Sequence, residues 1–311
     1  MHSFHIPVMQ REVIESLRCR SGGIYVDGTV GGGGHAFEIL RETAPDGLLI
    51  GIDVDDDALH ESEEHLKPFG NRKILVKGNF ADINIILDNL NIKEVDGILL
   101  DLGVSSHQLK TADRGFSFSL DAALDMRMDQ SRGICAYDII NTFPEKELEG
   151  IIKDYGEEIM AERIVRMISA RRKVSPIKTT AELADIIVNA LPSRFKSKKI
   201  HPATQTFQAI RIYTNNELLN LYDAINRGID VLKKSGRYSI ISFHSLEDRI
   251  VKNGFRSWEK GCICPPRFPI CACHRKAKLQ VLTRKPTQPE HTEIESNPKS
   301  RSAKLRTAER I

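Results

Sequence analysis

The stretch Asp27-Gly28-Thr29-Val30-Gly31-Gly32-Gly33-Gly34-His35 constrains this chain more than any other. It follows Gly23-Ile24-Tyr25-Val26, which reads as a buried strand, and precedes Ala36-Phe37-Glu38-Ile39-Leu40, which reads as a helix. Glycines adopt positive φ and carry no Cβ, so other groups can approach their backbone closely. A strand that runs into a glycine loop and then a helix is how α/β proteins bring backbone amides against a nucleotide-like ligand. The loop alone leaves the identity of that ligand open.

The first third of the chain continues in the same rhythm. Strand patterns at 48–53, 73–77 and 95–101 alternate with helical patterns at 35–41, 56–66 and 84–90. Such alternation predicts a parallel, doubly wound Rossmann-like sheet with helices on both faces. Right-handed crossovers then gather the strand C-termini on one edge. Gly31, Gly32, Gly33, Gly34, Asp53, Phe80 and Asp101 all fall at or just past those ends, where open α/β sheets bind ligands. After Asp101 the rhythm changes. Residues 108–131 are polar, and 136–191 read as helices, with examples at 145–153 and 159–170. Thr179-Thr180-Ala181-Glu182 is a capping box opening a helix over 183–191, and 202–226 reads as one long amphipathic helix. The sheet pattern resumes at 237–243 after a Ser-Gly turn, and Ser245-Leu246-Glu247-Asp248 is expected to cap the next helix. Final strands are expected at 280–283 and 303–306. The expected organisation is an α/β domain in two parts, 1–108 and 206–311, interrupted by a helical insertion at 109–205.

Two cofactors fit a glycine loop with an acid at the next strand end, a dinucleotide and S-adenosylmethionine. In both, Asp53, 22 residues after Gly31, would accept hydrogen bonds from ribose hydroxyls. Asp27 tilts the balance, because a carboxylate before the glycines repels a pyrophosphate but suits an ammonium. The Gly-x-Gly-x-x-Gly fingerprint is only partly met. Asn79-Phe80-Ala81-Asp82 places an aromatic and polar neighbours where an adenine would pack, although Phe80 also reads as a core aromatic. Asp101, in Leu99-Leu100-Asp101-Leu102-Gly103, ends strand four and would face both cofactor and substrate; the alternative is a turn-capping aspartate. These features favour S-adenosylmethionine over an NAD-type oxidoreductase, for which no proton-relay pair is recognisable. A non-catalytic RNA-binding protein is a third class; the joint presence of the loop, Asp53 and Asp101 argues against it.

Charge points to the partner. The net charge is only +3, yet residues 249–311 hold 15 Lys/Arg against 5 Asp/Glu, and residues 163–199 hold 10 against 2. Segregated positive charge suggests nucleic acid. No apolar run approaches the roughly 18 residues of a membrane span, and no signal peptide is evident at the N-terminus, so a cytoplasmic location without a membrane partner is expected. Six cysteines do not make a secreted disulfide scaffold. Cys262-Ile263-Cys264 and Cys271-Ala272-Cys273-His274 are possible zinc donors, but Cys-x-Cys is tighter than the usual Cys-x-x-Cys. A metal, a redox-labile loop and no chemistry all stay open there, and no metal is assigned.

Seven blocks stand in order along the chain. They are Gly28-Thr29-Val30-Gly31-Gly32-Gly33-Gly34-His35, Asp96-Gly97-Ile98-Leu99-Leu100-Asp101-Leu102-Gly103-Val104-Ser105-Ser106, Arg114-Gly115-Phe116-Ser117-Phe118 and Leu124-Asp125-Met126-Arg127-Met128-Asp129. His201-Pro202-Ala203-Thr204, Ile241-Ser242-Phe243-His244-Ser245-Leu246-Glu247-Asp248-Arg249 and Arg301-Ser302-Ala303-Lys304-Leu305-Arg306 follow. In these blocks the chain resembles the bacterial 16S rRNA cytosine-N4 methyltransferases. The resemblance implies a class I methyltransferase sheet with an inserted helical domain. It also implies S-adenosylmethionine contacts at Gly33, Gly34, His35, Asp53, Phe80, Asp101 and Gln108, with Asp101 as the catalytic residue and 16S rRNA of the small ribosomal subunit as partner. Oligomeric state stays open, a homodimer included. Arg114, Arg127, Lys198, Lys199, Arg301, Lys304 and Arg306 are candidate phosphate contacts. The chain departs from the family pattern at Gln205 (usually Arg), His107 (usually Pro), Ala122-Ala123 (usually Gly-Pro) and Lys110-Thr111 (usually an acidic pair). Gln205 would remove a cation from a helix expected to face RNA.

Overall fold

Strand β1 (Ile24–Asp27) sends Tyr25 to one buried cluster and Val26 to another, and its neighbours repeat the pattern. Leu49, Leu99, Ile241 and Leu305 join Tyr25, while Ile50, Ile52, Ile98, Leu100 and Ile240 join Val26. Successive strand residues point to opposite faces, so near-continuous apolar runs mean that both faces are covered. This computed structural model describes residues 7–192, 201–262, 264–265, 270 and 272–311. Its other strands are β2 (Leu48–Asp53), β3 (Lys73–Lys77), β4 (Val95–Asp101), β5 (Leu232–Ser242), β6 (Leu279–Val281) and β7 (Lys304–Arg310). They form one sheet in the order β3-β2-β1-β4-β5-β7-β6. The first five are parallel, and β7 runs antiparallel between β5 and β6. The chain winds outward from β1 in one direction and from β4 in the other, so the switch point lies between these two strands.

Residues fall into two compact units, Met1–Gly103 with Leu218–Ile311, and Val104–Glu217. In the sheet unit, α1 (Gln10–Leu17) and α2 (Gly34–Glu42) bury Val13, Leu17, Ala36, Ile39 and Leu40 in the Tyr25 cluster. The Val, Leu and Ile side chains among these each contribute about 1.5–3 kcal/mol on burial. Helix α3 (Asp56–His65) is capped by Asp55, whose side chain accepts the Asp57 N–H, and α4 (Ile83–Asn89) follows β3.

The second unit is helical: α5 (Ser106–Lys110), α6 (Ala136–Thr142), α7 (Glu145–Gly156), α8 (Ala161–Arg172), α9 (Thr180–Ala190) and α10 (Thr204–Asn215). Phe116, Leu124, Ile140, Ile152, Ile164, Leu183 and Phe207 lie in its own core. Polar side chains tie its loops down. Asn141 exchanges two hydrogen bonds of 2.9 Å with the backbone of Ile177, and Arg172 donates to the carbonyls of Ile140 and Phe143 at the end of α6. Thr179 caps α9 in the expected capping box.

The helix expected over 202–226 is two helices. Asn216 adopts a left-handed conformation (φ 51°) between α10 and α11 (Glu217–Val231). Asparagine tolerates that conformation better than most residues. The break separates two cores: α10 buries Phe207 and Ile210 in the helical unit, and α11 buries Leu221, Ile225 and Ile229 in the sheet unit. In α12 (Ser245–Lys260) the cap is His244, one residue before the expected start, in a capping box with Glu247. The Ser-Gly pair does not precede β5 but interrupts it: Ser235 has φ 66°, and the pairing with β4 shifts register there. Helices α1 and α13 (His291–Ser296) had no counterpart in the sequence reading. Among the described residues no helix is long and apolar enough to cross a membrane.

Candidate active site

Three acids end three adjacent strands. Asp27 closes β1, Asp53 closes β2 and Asp101 closes β4, around the switch point. The glycine loop is fastened to both neighbouring strands: the Gly28 N–H donates to Leu99 O (2.9 Å) and the Val30 N–H to Ile52 O (3.0 Å). A Cβ on Gly28 would lie 2.5 Å from Leu100 Cδ2 and 3.0 Å from the Phe80 Cβ, so glycine here is what lets Phe80 approach the loop. Gly33 (φ 80°) turns the chain into α2 and leaves the first-turn amides without a side-chain cap. Those amides and the positive end of the helix dipole suit an anionic group such as a carboxylate.

The electrostatics favour a cation beside that anion site. Asp27 is 1% exposed, and its Oδ1 accepts the Thr29 N–H at 3.2 Å. Burial pushes its pKa up to about 7, with the charges of Asp101 and Asp53 acting in the same direction and His35 and the Thr29 amide opposing. Asp53 accepts the Gly31 N–H at 2.9 Å and the Asp55 N–H at 3.0 Å. Burial lifts it to about 6 against those two amides. His35 is buried with Nε2 3.6 Å from Asp101 Oδ2. Burial pulls the imidazole down, but Asp101 and then Asp27 prevail and raise it. The Asp101 backbone N–H donates to Thr29 Oγ1 at 2.6 Å. Both ring nitrogens of His35 and the Oδ1 of Asp101 lack a hydrogen-bond partner in the described protein. Buried polar atoms left so are costly unless a ligand satisfies them. A pyrophosphate would meet three carboxylates at this edge, whereas an ammonium and a sulfonium are complementary to them. S-adenosylmethionine, with a carboxylate, an ammonium, a sulfonium and ribose hydroxyls, fits the residues present.

Gly33, Gly34, His35, Asp53, Phe80 and Asp101 lie together in the sheet unit. Phe80 opens a short 3-10 turn (Phe80–Asp82), with the Asn79 side chain accepting the Ala81 N–H at 2.9 Å. Gln108 belongs to the helical unit. It is buried there in a capping box, its Oε1 accepting the Ser105 N–H at 3.0 Å. The sequence reading did not single out Thr29, which holds the backbone of Asp101. A hydroxyl two residues past a strand-ending aspartate is a weak signal for such a role.

Several expected phosphate contacts are structural instead. Arg114 is 3% exposed and donates to the carbonyls of Arg127 and Met128. Arg127 forms a two-pronged pair with Asp125 (2.8 and 2.9 Å), and the buried Arg306 does the same with Asp248 (2.7 and 3.2 Å). Arg301 is exposed and Lys304 half-buried. Lys198 and Lys199 lie outside the described residues. Gln205 is a capping residue: its Nε2 donates to the carbonyls of Gly156 and Glu157, at the end of α7 (3.1 and 3.3 Å). The missing cation at that position is therefore first a matter of helix termination, since the side chain points at carbonyls.

Comparison with known proteins agrees with this reading. The model of the MraW methylase family matches residues 2–311. The ribosomal RNA small subunit methyltransferase H of Syntrophus aciditrophicus is 63% identical over 310 residues, covering 100% of this chain and 98% of that protein. The protein of the same name from Geotalea uraniireducens is 54% identical over 307 residues, covering 99% and 98%. That of Clostridioides difficile is 48% identical over 311 residues, with 100% of both chains covered. The chain belongs to the MraW methylase family and is an S-adenosylmethionine-dependent methyltransferase on a Rossmann-like α/β sheet.

Proposed function

We propose that this chain methylates the exocyclic N4 of a cytosine in the decoding region of 16S rRNA, acting in the cytoplasm on the small ribosomal subunit. The observation that carries the proposal is the grouping of Asp27, Asp53 and Asp101 with His35 at the switch point, in a chain whose relatives are named for small-subunit rRNA. S-adenosylmethionine, when bound, supplies an electrophilic methyl group on a sulfonium with a neutral thioether as leaving group. The amides of Gly34 and His35 at the start of α2, turned by Gly33, receive the carboxylate of the methionine moiety. Asp27 faces its ammonium, Asp53 accepts from the ribose hydroxyls and Phe80 packs on the adenine.

The amino nitrogen of cytosine is a poor nucleophile because its lone pair is delocalised into the ring. Its N–H protons become more acidic as the methyl transfers, so a strong base is not needed beforehand. Asp101 accepts an N–H of that amino group, turns the lone pair toward the methyl, and takes the proton that the nitrogen releases once it has gained the methyl, passing it on to solvent. Thr29 and His35 hold Asp101 in place. Rate enhancement then comes mainly from positioning and electrostatics. The base must be single-stranded or flipped to enter such a site.

The test pairs two measurements. Mass spectrometry of 16S rRNA from a deletion strain should show one cytosine lacking its N4 methyl, restored by the wild-type gene. Asp101→Ala should fail to restore it and should lose on the order of 100-fold or more in turnover, with an unchanged circular dichroism spectrum. Unaltered rRNA in the deletion strain refutes the substrate, and near-normal turnover of the variant refutes the role of Asp101.

A further inference from the structure

Between α12 and β6 the described residues close a strap at its base and bury no side chain within it. At the base, the Gly261 N–H donates to Ser257 O (3.0 Å) and the Lys278 N–H to Trp258 O (3.0 Å). Gly261 has φ 72°, and a Cβ there would lie 2.4 Å from the backbone nitrogen of Ala277, so only glycine lets the two ends close. Arg275 stacks on Trp258 at 3.5 Å from the ring centroid, and the indole N–H donates to Asn226. Between these ends the described residues form neither helix nor strand, and none of their side chains is buried. Hydrophobic burial therefore does little to hold these described residues in one conformation.

Three thiols converge inside it. The sulfurs of Cys262, Cys264 and Cys273 all lie within 4.8 Å of one another, and Cys262 Sγ is 3.8 Å from Cys273 Sγ. A disulfide holds its sulfurs about 2.05 Å apart. Four sulfurs each 2.3 Å from a tetrahedral zinc are separated by about 3.8 Å. The Cys262–Cys273 spacing excludes a disulfide and matches two thiolates on one ion, a distance that an S–H···S hydrogen bond also gives; what singles the group out is that a third sulfur, Cys264 Sγ, lies within 4.8 Å of both. The Cys-x-Cys pair is no obstacle, because the Cys262 and Cys264 sulfurs already lie within 4.8 Å of one another. The Ala272 N–H lies 3.4 Å from Cys264 Sγ, which stabilises a thiolate.

We propose that Cys262, Cys264 and Cys273 are ligands of a structural zinc ion that fixes this strap in place of a hydrophobic core. Three thiolates leave the fourth position to a further donor or a water. On binding, each of the three S–H bonds is replaced by a Zn–S bond, the three protons pass to solvent and the zinc gives up the waters that the sulfurs replace; no oxidation state changes. The strap then presents Lys276 in a set conformation, beside an Arg275 already held on Trp258. The inference does not depend on the methyl-transfer reading, and its test uses the metal alone.

The full chain, tag removed and thiols reduced, is loaded with zinc, dialysed and analysed by elemental mass spectrometry. The expected result is about one zinc per chain. The combined variant Cys262→Ser/Cys264→Ser/Cys273→Ser should lose it, and Cys19→Ser/Cys135→Ser should keep it. Cobalt(II) titrated into the zinc-free wild type should give near-ultraviolet thiolate charge transfer and the visible bands of a tetrahedral site. This second readout needs no variant to fold. A reduced wild-type chain that takes up no zinc overturns the proposal. So does zinc retained by the triple variant, or a cobalt spectrum without thiolate charge transfer.

Discussion

Burial lifts the Asp27 carboxyl from 3.8 to about 7, a shift worth on the order of 4 kcal/mol. Between about pH 4 and pH 7 the folded chain holds a proton that the unfolded chain has released. The folded state binds more protons in that window, so stability falls as pH rises through it and levels off above. Asp53, lifted to about 6, adds a smaller change of the same sign. The ligand-free protein is expected to melt at a higher temperature at pH 5 than at pH 8, and Asp27→Asn should remove most of that difference in a thermal shift assay. Cofactor affinity should do the opposite and rise with pH through about 7, as Asp27 becomes an anion for the ammonium. Calorimetry on Asp27→Asn should show weaker binding and a flatter pH profile; a profile like that of the wild type would rule Asp27 out. Arg114 gives a second residue-level contrast. Its guanidinium is committed to two backbone carbonyls, so Arg114→Ala should cost stability, about 1.5–3 kcal/mol. It should leave the salt dependence of RNA binding unchanged, which separates a structural arginine from a phosphate contact.

At the level of elements, the start of α2 carries the most consequence. Gly33 holds φ 80°, and a Cβ there would sit 3.3 Å from both Leu66 Cγ and Ser62 Cβ. Gly33→Ala meets a left-handed backbone penalty of about 1–2 kcal/mol and displaces the amides that receive the carboxylate. The expected outcome is a lower melting temperature together with at least a tenfold loss of cofactor affinity. Gly34→Ala is the comparison, because its Cβ would meet Pro7 at an ordinary 3.4 Å and its φ is helical, so the stability loss should be clearly smaller. Equal losses would mean that the turn at Gly33 is not what sets this site. The helix ends also show where periodicity misleads. Apolar spacing runs on past Asn215, and only the left-handed Asn216 reveals that α10 and α11 serve different cores. Likewise Gln205 looked like part of a charged face but terminates α7, because four carbonyls at a helix end need donors.

For the whole molecule, the excess of lysine and arginine in 249–311 is the feature that should set binding to rRNA. Part of it is internal: Arg306 is paired with Asp248 and Arg310 donates to Lys278 O. The remaining exposed cations predict that log affinity falls linearly with log salt, each neutralised phosphate adding about 0.7–0.9 to the slope. A flat response in a filter-binding series would remove the electrostatic role of this segment. The sequence by itself determined the parallel part of the sheet, β1 to β5, and the edge on which the site lies, but not the antiparallel β6 and β7. Short continuous apolar runs, a glycine loop and right-handed crossovers are local rules, and together they bring Asp27, Asp53, Phe80 and Asp101 to one edge before any contact is known. Only the tertiary structure decided how those groups are set against one another. That His35 stands 3.6 Å from Asp101, that Thr29 anchors it, that Arg114 and Arg306 are spent inside the protein, and that Cys262 and Cys273 meet at 3.8 Å are distances between segments apart in the chain. Such distances follow from how elements pack, which no local pattern of residue types encodes.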